Sequence, residues 1–112
     1  MDWKNKFELE IQRAIDVRKN GNEGQSRVCA RRAAGIVART YFQRRNGSVP
    51  ANSAFDLLKK LQELDDLPED IRREAEYLTL RVNEEFNLPA SVDLILAAQR
   101  LAQRLLPDVD LG

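Results

Sequence analysis

The chain has 112 residues, 18 Lys plus Arg against 18 Asp plus Glu, 43% hydrophobic residues, one cysteine and no histidine. That length fits a single domain, residues 1–112, around one core, and the composition is too apolar for a disordered tail and too charged to span a bilayer. Missing histidine removes the commonest general base and every Ser–His or Cys–His nucleophile, while one thiol excludes an internal disulfide and multi-cysteine metal sites. These exclusions point to a protein without catalytic residues, metal or cofactor.

No apolar signal core follows Met1, and the run from Leu94 to Ala98 is far shorter than the ~20 residues of a membrane helix. The default expectation is a cytoplasmic protein with no membrane partner.

Apolar residues at Trp3, Phe7, Ile11, Ala14 and Ile15 recur in steps of three and four, which predicts a first helix capped by Asp2. Arg18 and Lys19 suit its negative end, and Asn20-Gly21 stops it. Asn22 with Gln25 forms a capping pair for a second, longest helix reaching Arg44 or Arg45 before Asn46-Gly47. Its centre is small: Ala30, Ala33, Ala34, Gly35 and Ala38. Glycine in a helix interior costs about 1 kcal/mol relative to alanine, so Gly35 marks a close backbone approach.

Ser53 with Asp56 opens a short third helix through Leu57, Leu58, Leu61 and Leu64. Asp66 with Glu69 predicts the cap of a fourth helix, with Ile71, Ala75, Leu78, Val82 and Phe86 on one face. Glu69–Arg73, Arg72–Glu76 and Arg81–Glu85 are expected as i,i+4 pairs on the other. A fifth helix, capped by Asn87 or Ser91 and closed by Pro107, is apolar over most of its circumference. It therefore lies in the middle of the bundle or under a second subunit; Leu94, Ala98, Leu101 and Leu105 are the candidate interface residues. No strand pattern is present. The expected fold is all-α, an up-and-down four-helix bundle with one additional short helix.

Charge is uneven along the chain. Residues 1–50 carry net +6 and residues 51–112 net −6. The second helix holds much of the excess, with Arg27, Arg31, Arg32 and Arg39 as candidate phosphate- or partner-binding residues; helical spacing sets Arg27 and Arg31 on one face and Arg32 with Arg39 two turns apart on an adjoining one. Three readings stand for them: ion pairs with later helices, phosphate or nucleic-acid binding through guanidinium forks, or solvated charge. Few aromatics interleave with them for base stacking, Tyr41 and Phe42 near the helix end being the nearest. Cys29 reads as a buried small residue, and the carboxylates show no calcium-loop spacing.

The stretch Gly21-Asn22-Glu23-Gly24-Gln25-Ser26-Arg27-Val28-Cys29-Ala30-Arg31-Arg32-Ala33-Ala34-Gly35, with the long-long-short-long-long helix order, resembles the HEPN superfamily of small helical bundles. The resemblance implies an up-and-down bundle and a tendency to dimerise. Many members are metal-independent ribonucleases or toxins, and others partner a minimal nucleotidyltransferase. The ribonuclease branch needs a closely spaced Arg–His pair, which this chain cannot supply, so the resemblance is to the non-catalytic branch. Taken together, the sequence points to a homodimeric or partner-docking interaction module, with phosphate binding by the second helix as the alternative.

Overall fold

The computed structural model describes residues 3–80 and 92–107. Among them are five helices and no strand: α1 (Trp3–Lys19), α2 (Glu23–Asn46), α3 (Ala54–Gln62), α4 (Glu69–Leu78) and α5 (Leu94–Leu105). The all-α expectation holds. Helix α2 is the longest and packs against α1, α3, α4 and α5, so it is the central element.

Local chemistry sets most of the boundaries. The Asn22 side chain accepts from Gln25 N at 3.0 Å, and the Ser53 hydroxyl accepts from Asp56 N at 3.0 Å, each satisfying an orphan N–H of a first helical turn. Gly47 adopts the left-handed conformation, φ 73°, and its N–H closes α2 on the Gln43 carbonyl.

Two caps differ from the sequence expectation. Pro68, not Asp66, occupies the N-cap of α4 and offers no side-chain oxygen; Asp66 instead meets Arg45 through both its oxygens, at 2.8 and 2.9 Å. Helix α5 is capped by Asp93, whose carboxylate accepts from Ile95 N and Leu96 N. The alternatives Asn87 and Ser91 lie outside the described residues, as do Asp2, Val82, Phe86 and the Arg81–Glu85 pair. Helix α4 closes at Leu78. Nor does Arg72 seek Glu76: it pairs with Glu69 and donates to the carbonyls of Gln62, Leu64 and Leu67, fastening the α3–α4 connection.

The small centre of α2 has its expected consequence. A Cβ placed on Gly35 would fall 2.4 Å from the Ala54 Cβ and 2.9 Å from its Cα, so α3 begins directly against the α2 backbone. On the opposite helix pair, buried Ser26 donates to the Ala14 carbonyl at 2.9 Å, tying α2 to α1.

Helix α5 supplies Leu94, Ile95, Ala97, Ala98, Leu101, Ala102 and Leu105 to the core. The four candidate interface residues, Leu94, Ala98, Leu101 and Leu105, are thus covered by helices of their own chain. This is a correction: among the two places the sequence allowed, the bundle interior is the one occupied. Leu96, Arg100, Gln103 and Arg104 face solvent, so α5 is amphipathic with a broad apolar side. No helix among the described residues is long and apolar enough to cross a membrane.

Candidate functional site

The four arginines singled out on α2 separate onto two faces. Arg27 lies 4.0 Å from Glu23, one turn back along the same helix. Arg31 reaches the end of α4, its Nε donating to the Leu78 carbonyl at 2.7 Å and its Nη2 to the Leu80 carbonyl at 3.1 Å. These carbonyls lie at and just beyond the end of α4, where a guanidinium both donates to them and complements the negative end of the helix dipole. Both side chains hold structure.

Arg32 and Arg39 point elsewhere. With Ile36 and Gln43 they stand at steps of four, three and four along α2, a single stripe. The stripe borders a groove between α1, α2 and the connector that precedes α3. Its larger lobe, about 630 Å³, is lined by Trp3, Lys6, Ile36, Arg39, Thr40, Gln43, Arg44 and Val49. A smaller lobe of about 230 Å³ shares Ile36 and Arg39 and adds Arg32, Glu10, Gly35, Asn52, Ala54 and Leu57.

The lining chemistry is asymmetric. Three cations, Lys6, Arg39 and Arg44, border the larger lobe, and none of its described lining residues is a carboxylate. Lys6 and Arg32 make no hydrogen bond or ion pair among the described residues. Arg39 spends one N–H on the Asn52 carbonyl at 2.8 Å, which fixes the guanidinium at the junction of the two lobes and leaves other donors open. The polar neighbours are occupied internally: Thr40 donates to the Ile36 carbonyl, and Gln43 donates to the Gly47 carbonyl. The carboxylate of the smaller lobe, Glu10, is paired with Arg13 at 3.2 Å.

Trp3 gives the groove its aromatic wall. It stands edge-on to Phe7, ring centroids 6.1 Å apart, and is partly exposed. Sequence reasoning placed Trp3 on the core face of α1 and looked for aromatics only along α2, so it missed this residue together with Lys6, Arg44 and Val49. A Trp–Lys spacing of three on α1 is the one available signal, since it sets both residues on one side of the helix. What puts that side against Arg39 is the α1–α2 packing.

The remaining candidates carry less. Cys29 is buried and within 3.9 Å of the Gln25 amide nitrogen. Among the described residues no group of three His, Cys, Asp or Glu is placed to hold a metal ion. Asp70 and Glu74 of α4 meet Arg104 and Arg100 of α5 as a two-rung ladder between helices. Comparison with protein-family models, with curated proteins and with solved structures finds no match to this chain.

Proposed function

We propose that the protein is a non-enzymatic interaction module that docks a negatively charged ligand in the groove between α1, α2 and the connector. The observation that carries this reading is the pair of cations Lys6 and Arg39 on the larger lobe, where none of the described lining residues is a carboxylate. Lys6 makes no ion pair among the described residues and Arg39 spends its one described hydrogen bond on a neutral carbonyl, so an incoming anion meets two available positive charges. Its size, about 630 Å³, falls within the roughly 300–1,000 Å³ typical of ligand pockets.

Within this reading the HEPN-like relationship belongs to the non-catalytic branch. Support for it comes from the residue 21–35 stretch, whereas α4, at ten residues against nine for α3, is shorter than the long-long-short-long-long order expects. Self-association through the α5 seam loses its basis, because those side chains are already covered. Binding of phosphate by four arginines of α2 is weakened in the same way, since Arg27 and Arg31 are engaged within the fold.

Trp3 is the chain's single tryptophan, so its fluorescence reports on the groove directly. Titration with poly-L-glutamate and with a single-stranded RNA tests the reading. At least one polyanion should shift the emission at low salt, and less at ~0.5 M salt, where screening is strong. The Lys6→Ala/Arg39→Ala double variant should lose the response. No response to either polyanion would overturn the proposal.

A further inference from the structure

We infer that the natural occupant of the groove is an acidic peptide segment of a partner protein, carrying an apolar side chain between its carboxylates. This rests on the anion-docking reading above and specifies the partner. Three features of the groove favour such a peptide over a nucleic acid.

First, the floor is aliphatic as much as aromatic. Ile36 and Val49 lie beside Trp3 in the larger lobe, and one ring offers one stacking platform, whereas single-stranded nucleic acids use successive rings for successive bases. A cleft with aliphatic and aromatic walls instead receives a Leu, Met or Phe side chain. Second, the cations are separated along the groove. Arg32 and Arg39 stand seven residues apart on α2, about 10 Å, with Ile36 between them, so an occupant meets charge, grease and charge in turn. From Arg32 to Gln43 the stripe runs about 17 Å, the length of roughly five extended residues. Third, the protein has no net charge. It lacks the global positive field that draws polyphosphate chains, and a local patch of three cations, Lys6, Arg32 and Arg39, matches a short acidic segment.

Charge complementarity therefore fixes the sign of the partner, and the Trp3–Ile36–Val49 surface fixes its anchor. The test uses the full chain and four probes of similar length: a capped peptide with two glutamates on each side of a Leu-Leu pair, the same peptide with Ser-Ser at its centre, the same peptide with lysines for glutamates, and a single-stranded RNA octamer. Trp3 emission and heat of binding are read together.

The glutamate–leucine peptide should bind most tightly. The serine version should lose about tenfold, and the lysine version should not bind to the native chain. Arg39→Glu should abolish binding of the acidic peptide and restore some affinity for the lysine peptide, a gain that misfolding cannot produce. Lys6→Glu, on α1, gives an independent second reversal.

Equal binding of the serine and leucine peptides would overturn the apolar anchor and with it the inference. RNA binding tighter than the acidic peptide would overturn the inference while leaving the anion-docking reading in place. Silence from all three anionic probes would remove both.

Discussion

Arg31 of α2 and Leu78 of α4, 47 residues apart in sequence, are joined by a 2.7 Å hydrogen bond from the arginine Nε to the leucine carbonyl. The same guanidinium donates to Leu80 at 3.1 Å, so the longest helix supplies the C-terminal cap of a neighbour. Arg72 does the equivalent for the α3–α4 connection, where it collects the carbonyls of Gln62, Leu64 and Leu67. Arginine suits both places because one planar fork addresses several carbonyls at once.

Arg31→Ala should therefore destabilise the fold by about 1.5–3 kcal/mol, the range for hydrogen bonds made by a charged group. Arg31→Lys should recover only part, because a single ammonium on a flexible stem reproduces the charge and not the fork. Urea denaturation of the three proteins checks this; equal stability of Arg31→Ala and the native chain would contradict it.

Gly35→Ala sets two effects against each other. Helix propensity favours alanine by about 1 kcal/mol, but the new methyl would meet Ala54 at 2.4 Å, with backbone behind it. Overpacking of this kind costs about 1–3 kcal/mol, and the short distance to Cα leaves little room for relief, so the variant should be less stable. Ala54→Gly in the same chain should recover part of the loss, measured as a non-zero coupling in a double-mutant cycle.

Asp93 links stability to pH. Burial pushes its pKa upward, but the Arg18 hydrogen bond and charge, with the N–H groups of Leu96 and Ile95, outweigh this and hold it below the ordinary 3.8. A carboxyl depressed on folding stabilises the native state above its unfolded pKa and ceases to do so as pH falls through the folded value. The contribution should thus be intact at pH 6 and fade below pH ~4. Asp93→Asn keeps a good helix cap and removes the charge, so it should flatten the acid limb of the stability profile with a small effect on capping. An unchanged acid limb would show that the Arg18–Asp93 pair, at 3.1 Å, does not couple to folding.

The two sides of α5 should respond differently to truncation. Leu101 is fully buried, and Leu101→Ala should cost about 2–5 kcal/mol. Leu96 is 44% exposed, and Leu96→Ala should lie within about 0.5 kcal/mol of the native chain. Chemical denaturation distinguishes the two. If α5 instead met a second copy across Leu96, sedimentation would show Leu96→Ala shifting the oligomeric state.

Much of the fold was legible in the residues themselves. Periodicity located the helices, the Asn22 and Ser53 side chains marked two starts, and Gly35 announced a close approach. These signals are local: a cap acts over three residues, and an apolar stripe repeats every three or four. The cap of α4 was misread because Asp66 had a stronger use, a two-oxygen contact with Arg45 from another helix. Asp93 was passed over because Asn87 and Ser91, earlier in the chain, offered cap side chains of the same kind.

The site is a different matter. Helical spacing alone put Arg27 and Arg31 on one face of α2 and Arg32 with Arg39 two turns apart on an adjoining one. It could not say which pair is engaged within the fold and which borders a groove. Only packing decided that Arg31 meets the Leu78 and Leu80 carbonyls at the end of α4, and that Trp3 and Lys6 of α1 and Val49 of the connector come to border Arg39. Spacing along a chain sets the face of a helix, whereas the neighbour on that face depends on how whole helices bury their apolar sides together.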